Sequence, residues 1–331
     1  MNSHSTARSQ RRQFMLLSIF IAVLLGVSAF LTYRVVSLES QNSQYRASLV
    51  ARRAEIDTYT RLTCATTSTI RTSQTNTTYE AVVDGRIRGY RVHTPTHYDS
   101  NVRLPVVLSF DGIDGSGAQM QSYSGLDQLP AIVVYPDSLP SQEGFTAWQG
   151  APYSQPGVDD IAFVRTVLKE VAAHYCTDPN RVYAVGMSNG GAFASLVGCE
   201  LGDSIRAVAS VSGAYYTSCQ SKTRSPSLLV LHSIDDNRVP FGGEVARGLP
   251  KVPDWVYEQA SFHGCREAYP TKSENGIGQY GWYDCKDNAK VTFVTLGGQV
   301  HGWLSMPQAA SAQPESTAQF IWQFFESTAP L

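Results

Sequence analysis

Residues 183–191 read YAVGMSNGG, which places Ser188 midway between Gly186 and Gly190. A serine in this Gly-x-Ser-x-Gly spacing can act as a nucleophile when it sits on a turn too tight for flanking side chains, because the turn holds its hydroxyl clear of the backbone. The pattern is short and also fits many ordinary glycine-rich turns, so its surroundings decide. RVYAVGM, before it, is an apolar and β-branched run, and NGGAFASLVGCEL, after it, has helical character. Strand, turn and helix in that order are the context in which such a serine becomes chemically useful. The helix N-terminus also brings partial positive charge to an oxyanion forming beside Ser188.

A serine hydroxyl needs a base, and the base needs an acid to orient it. At strand–turn–helix sites of this kind the chain order is serine, acid, histidine. Of the seven histidines, His4, His93, His97 and His174 precede Ser188. His232 ends an apolar run and reads as packing, and His263 falls in a helical pattern. His301, in LGGQVHGW, follows the last apolar run in a glycine-flanked loop and is the candidate base. The candidate acids are Asp235 and Asp236 in LLVLHSIDDNRVPFGG, and spacing does not separate them.

The elements that must position these residues can be read from residue 79 onward. YEAVVDG and RIRGYRVHTP predict a hairpin about Asp84-Gly85. LPVVLSF, AIVVYP, RVYAVGM, IRAVASVSG, SLLVLHS and VTFVTLG are short apolar runs of the kind buried in a parallel sheet. Between them VDDIAFVRTVLKEVAAHYC, NGGAFASLVGCEL, PDWVYEQASFHGC and PESTAQFIWQFFES predict helices. The alternation predicts one α/β domain over 79–331, its parallel sheet covered on both faces, with function at the carboxyl ends of the strands.

The N-terminal quarter is different. Residues 1–13 form a basic tail. Phe14–Leu31 is an 18-residue uncharged run, long enough at about 1.5 Å per residue nearly to span a hydrocarbon core of roughly 30 Å. With arginines ahead of it, 14–33 predicts a transmembrane signal anchor that sends the rest outward. The rival expectation is a signal peptide cleaved near Val27-Ser28-Ala29. Residues 34–62 predict a helical stalk. Val35, Leu38, Asn42, Tyr45, Leu49, Arg52, Ile56 and Tyr59 alternate at spacings of three and four, leaving room for weak self-association over 35–59. Residues 63–78, half of them threonine, read as a linker. Setting aside the four arginines of the first 34 residues leaves 22 basic residues against 28 acids, a net charge of −6. That sign excludes a nucleic-acid binder. All six cysteines follow the apolar run, which points to disulfides on the exported side. The expected pairs are Cys265–Cys285 and, less securely, Cys199–Cys219.

The stretches GRIRGYRVHTP, LPVVLSFDG, VVYPDS, VDDIAFVRTVL, DPNRVYAVGMSNGGAFASLVGC, AVASVSGA, LHSIDDNRVPFGG and GGQVHGW cover nearly all of residues 84–303. In that order they resemble the exported α/β-hydrolase esterases that include polyhydroxybutyrate depolymerases and feruloyl or acetylxylan esterases. The resemblance implies an α/β-hydrolase fold and the triad Ser188, Asp236 and His301. It also implies an oxyanion hole, placed at the Ile113 and Asn189 N–H groups, and no cofactor. Two departures stand out. Asp111-Gly112 replaces the family's His-Gly beside that hole, with Asp111 expected to point away into a loop hydrogen-bond network. His-Ser-Ile replaces His-Gly-Thr ahead of the acid. Trp148 and Trp303, with Asp111 and Gly112, are expected to line a substrate pocket. The activity implied is a serine carboxylesterase outside the cytoplasmic membrane. Its rivals are an acyltransferase using the same triad and an inactive binding module.

Overall fold

The computed structural model describes residues 76–329 apart from 97, 218–223, 267, 275–276 and 307–315. The chain divides into two units, Met1–Arg61 and Leu62–Leu331, and every described residue belongs to the second. The expected tail, anchor and stalk lie outside the described residues, among which no helix is long and apolar enough to cross a membrane.

In chain order the elements begin with β1 (Asn76–Val83), β2 (Arg86–His93), β3 (Leu104–Phe110), α1 (Gly117–Ser124) and β4 (Ile132–Pro136). A minor pair follows, β5 (Leu139–Pro140) and β6 (Thr146–Ala147). Then come α2 (Asp160–His174), β7 (Thr177–Met187), α3 (Asn189–Glu200), β8 (Ala207–Val211) and β9 (Ser227–Ser233). The last are α4 (Val252–Phe262), β10 (Ala268–Glu274), β11 (Ile277–Trp282), β12 (Val291–Leu296) and α5 (Thr317–Glu326). Among the described residues the main sheet has the order β1-β2-β4-β3-β7-β8-β9-β12-β11-β10. Its six inner strands, β4 to β12, run parallel, and antiparallel hairpins flank them on both sides.

The inner strands are buried on both faces, which is why they read as unbroken apolar runs: every residue of β4, β8 and β9 is buried. Successive side chains of β3 go to opposite faces. Val106, Leu108 and Phe110 meet Phe163, Val164 and Val167 of α2 and Phe193 and Val197 of α3. Val107 meets the other layer, where Met120 of α1 and Ile321 and Phe325 of α5 pack. Truncating one such aromatic, Phe325 for example, to alanine would cost about 3–5 kcal/mol. Asp159 starts α2 by accepting the Ala162 N–H through its side chain at 2.8 Å. Asp84 (φ 50°) and Gly85 (φ 73°) form the β1–β2 turn, whose two left-handed residues suit Asp-Gly.

One sequence expectation needs correcting. Asn76, Thr77 and Thr78, expected in the linker, belong to β1, where they pair with His93, Val92 and Arg91. Threonine suits a pleated strand as well as it suits a polar linker. Between Cys265 and Cys285, β10 and β11 extend the sheet. The expected Cys265–Cys285 disulfide closes this segment, with an S–S distance of 2.00 Å. Cys176 and Cys199 are also disulfide-bonded, while Cys219 lies outside the described residues.

Candidate active site

Ser188 stands where β7 gives way to α3, at φ 83° and ψ −112°. Such a backbone costs on the order of 1–3 kcal/mol for a non-glycine residue, and its neighbours enforce it. A Cβ on Gly186 would lie 2.1 Å from the Gly190 oxygen, and one on Gly190 would lie 2.2 Å from the Asp111 oxygen. Only glycines let β7, α3 and the end of β3 meet this closely. The Ser188 N–H donates to Val211 O at 3.0 Å, and its carbonyl accepts from Ala192 and Ala214 at 3.1 and 3.0 Å. A serine before a helix commonly caps it through the hydroxyl. Ser188 makes no such cap, and its hydroxyl lies 2.9 Å from His301 Nε2 instead.

His301 and Asp236 reach the serine from adjacent strands. β9 and β12 pair in parallel with Ser233 opposite Leu296, so the loops leaving them run side by side. Those loops are tied together: Gly298 N–H donates to Asp235 Oδ2 at 2.6 Å and Ser233 Oγ to Gln299 O at 2.5 Å. Ser212 Oγ holds Gly302 O at 2.9 Å. His301 Nδ1 then meets Asp236 Oδ2 at 2.8 Å. Because a carboxylate only accepts, Nδ1 carries the ring proton and Nε2 is free to accept the Ser188 proton.

Asp236, not Asp235, faces the imidazole. Burial alone would raise the Asp236 pKa. Hydrogen bonds from His301 and from the Val239 and Arg238 N–H groups outweigh it, together with attraction to His301, and hold it below the ordinary carboxylate value. Those two N–H groups donate to Oδ1 at 2.8 and 2.9 Å. Asp235 is exposed and occupied with Gly298. His232 is fully buried, donating Nε2–H to Val239 O at 2.9 Å, with Asp236 Oδ2 at 3.5 Å. Burial lowers its pKa, so it packs as a neutral ring behind the acid.

Asp111, Gly112 and Ile113 follow β3 and approach the Ser188 turn. A Cβ on Gly112 would be 3.4 Å from the Ser188 Cβ, so this backbone lies against the elbow. Neither the Ile113 nor the Asn189 N–H is engaged by another described residue. Asp111 is buried. Its Oδ1 accepts the Trp148 indole N–H at 3.0 Å, while Oδ2 has no partner among the described residues. Burial and repulsion from Asp137 push its pKa up to about 7, against the opposing pull of its own N–H and the Trp148 indole.

The expected aromatic pocket needs revision. Trp148 is fully buried, stacked on Phe193 at 4.7 Å between ring centroids and edge-on to Phe110 at 5.2 Å. It supports the site from below and does not line a pocket. Trp303 does remain partly exposed and meets Tyr123 of α1 at 6.3 Å. Sequence reasoning missed Tyr123, because α1 has almost no apolar periodicity to announce it. It also missed the Asn189 side chain, which binds Trp148 41 residues away. Among the described residues no three His, Cys, Asp or Glu side chains converge to hold a metal ion.

A mostly parallel sheet with Ser188, Asp236 and His301 beyond the carboxyl ends of β7, β9 and β12 defines an α/β-hydrolase-like fold. Solved structures agree on that fold. An acetyl xylan esterase from Aspergillus awamori superposes with a TM-score of 0.51 at 14% identity, over 68% of this chain and 94% of that one. A ferulic acid esterase does so with a TM-score of 0.51 at 14% identity, over 77% and 96%. Residues 83–275 match the model of the Esterase family, described as "Putative esterase". The chain belongs to that family and is a carboxylic-ester hydrolase of the serine class. The matched stretch contains Ser188 and Asp236 and stops short of His301. Among curated relatives, Feruloyl esterase D of Neurospora crassa is 27% identical over 79% of this chain and 88% of its own. Feruloyl esterase B of Piromyces equi is 28% identical over 63% of this chain, and the match spans 42% of that relative. Feruloyl esterase C of Emericella nidulans is 24% identical over 72% and 83%.

Proposed function

We propose that Ser188, His301 and Asp236 are a catalytic triad that cleaves carboxylic esters through an acyl-enzyme. One observation carries the proposal: a single imidazole joins Asp236 at 2.8 Å and Ser188 Oγ at 2.9 Å. His301 Nε2 takes the hydroxyl proton as Ser188 Oγ attacks the ester carbon. The tetrahedral oxyanion lies between the Ile113 and Asn189 N–H groups at the start of α3. As it collapses, His301 returns the proton to the leaving alcohol and the acyl group stays on Ser188. Water, deprotonated by His301, then releases the acid and restores the hydroxyl. Asp236 keeps the ring proton on Nδ1 throughout and stabilises the imidazolium.

For the acyl group we favour an aromatic acid of the feruloyl type. The names of the relatives support this, and so does the partly exposed Trp303–Tyr123 pair. For location we favour the outside of the cytoplasmic membrane, with 14–33 as an anchor. Support comes from the basic residues ahead of that run and the cysteines beyond it. A fluorophosphonate should label Ser188 in the folded protein, and Ser188→Ala should abolish both labelling and turnover. Methyl ferulate, set against p-nitrophenyl esters of rising acyl length, tests the substrate. A failure to label the folded protein would remove the triad reading. Preference for long aliphatic acyl groups would remove the aromatic one.

A further inference from the structure

The two proposed oxyanion donors come from separate parts of the chain, Ile113 after β3 and Asn189 at the start of α3. One short segment, Thr146–Trp148, bonds to both. On the Ile113 side, Thr146 O accepts the Asp114 N–H and Thr146 Oγ1 donates to Gly115 O, each at 2.8 Å. The Trp148 indole N–H donates to Asp111 O at 3.2 Å and Asp111 Oδ1 at 3.0 Å. Ile113 is thus bracketed by bonds at positions 111, 114 and 115. On the other side, the Asn189 side chain accepts the Trp148 N–H at 2.7 Å and donates to Trp148 O at 3.3 Å. The segment is itself anchored. Gln149 N–H donates to Asp160 Oδ2 at 2.7 Å, Gln149 Oε1 accepts from Asp160 N–H, and Asp160 pairs with Arg88 at 2.7 Å. Asp111, Trp148 and Asn189 are 1%, 0% and 1% exposed, so water does not compete for these bonds.

From this arrangement we infer that Trp148 and Asp111 are positioning residues: their indole–carboxyl contact, with the Asn189 clamp on the Trp148 backbone, fixes the spacing of the Ile113 and Asn189 N–H groups. The inference rests on the esterase reading and extends it. Misplacing an oxyanion donor weakens the transition state far more than the bound substrate, so the loss appears in kcat. It also gives Asp111-Gly112 a use in this chain. The acid serves as acceptor for a buried indole.

The test is steady-state kinetics on a p-nitrophenyl ester with wild type, Trp148→Phe, Asp111→Ala, Asp111→Asn and the Trp148→Phe/Asp111→Ala double variant, with Ser188→Ala as the blank. Trp148→Phe keeps the stacked ring and removes the indole donor. It should lower kcat about 10- to 100-fold with KM within about 2-fold. Asp111→Ala should behave alike, and Asp111→Asn, whose amide oxygen still accepts, should stay within about 3-fold of wild type. The double variant should lose little more than either single one, as two ends of one contact must. Full kcat in Trp148→Phe, equal losses in Asp111→Asn and Asp111→Ala, or independent multiplying losses would each overturn the clamp while wild-type turnover upholds the esterase. Wild type that turns over no ester and takes no fluorophosphonate label would overturn both.

Discussion

Two carboxylates flank Ser188, both shut away from solvent, and their environments differ in kind. Asp236 receives three donors: His301 and the Arg238 and Val239 N–H groups. Asp111 has the Trp148 indole on one oxygen, while the other has no partner among the described residues. The same functional group is therefore held as an anion on one side and pushed toward the neutral acid on the other. The number of donors decides this, because desolvation raises both. In the proposed mechanism charge belongs on the imidazole side, where an imidazolium would form. It would be harmful under the oxyanion hole, where it would oppose the developing negative oxygen.

The most severe way to break the comparison is to remove the charge where it is needed. In Asp236→Asn the amide oxygen would stay with the Arg238 and Val239 N–H groups, turning the amide NH2 toward His301 Nδ1. That Nδ1 must then accept, which moves the ring proton to Nε2 and leaves no lone pair for Ser188. We expect kcat to fall about 10⁴-fold with the fold intact, measured by ester turnover alongside circular dichroism. A loss below about tenfold would mean that Asp236 does not set the tautomer.

Removing the charge where it is unwanted should have the opposite sense, visible in stability. The native pKa of Asp111 is pushed up to about 7, against about 3.9 unfolded. Between those values the native state holds a proton that the unfolded chain has released. Stability therefore falls as pH rises from about 4 to 7 and is flat beyond, a loss on the order of a few kcal/mol. Asp236, shifted down, contributes with the reverse sign: its stabilisation is present above its unfolded pKa and lost as pH falls through the native one. Asp111→Asn should therefore gain Tm over wild type at pH 8 by several degrees more than at pH 5, in thermal unfolding at both pH values. A constant difference between the two would show that Asp111 does not titrate natively in that window.

The asymmetry explains what could be read in advance. Ser188 was legible because a tight turn, an apolar strand and a helix leave three separate marks within twenty residues. His301 and Asp236 were legible through chain order and strand ends, although the choice of Asp236 over Asp235 needed family register. The clamp was not legible. A tryptophan in FTAWQG looks the same whether it lines a pocket or lies beneath it, and the Asn189–Trp148 bond joins residues 41 apart. The β10–β11 hairpin was hidden by its glycines and polar residues, which blur the alternation that marks a strand. Local conformation writes itself into sequence, whereas a single long-range polar contact does not.

The smallest effect is expected at Asp235, adjacent to Asp236 in sequence yet apart from the imidazole. Its carboxylate is exposed and holds the Gly298 N–H at 2.6 Å, steadying the loop that carries His301 from outside. An amide oxygen can accept the same bond, and water can replace it at an exposed position, so the free-energy change should be about 1 kcal/mol or less. Asp235→Asn should therefore keep kcat within about 3-fold of wild type, with an unchanged pH profile of kcat/KM. The Ser233–Gln299 and Ser212–Gly302 bonds hold the same loop independently, so losing one of three ties leaves His301 in place. If Asp235→Asn and Asp236→Asn lost activity equally, loop placement and not imidazole orientation would be what this pair of acids supplies.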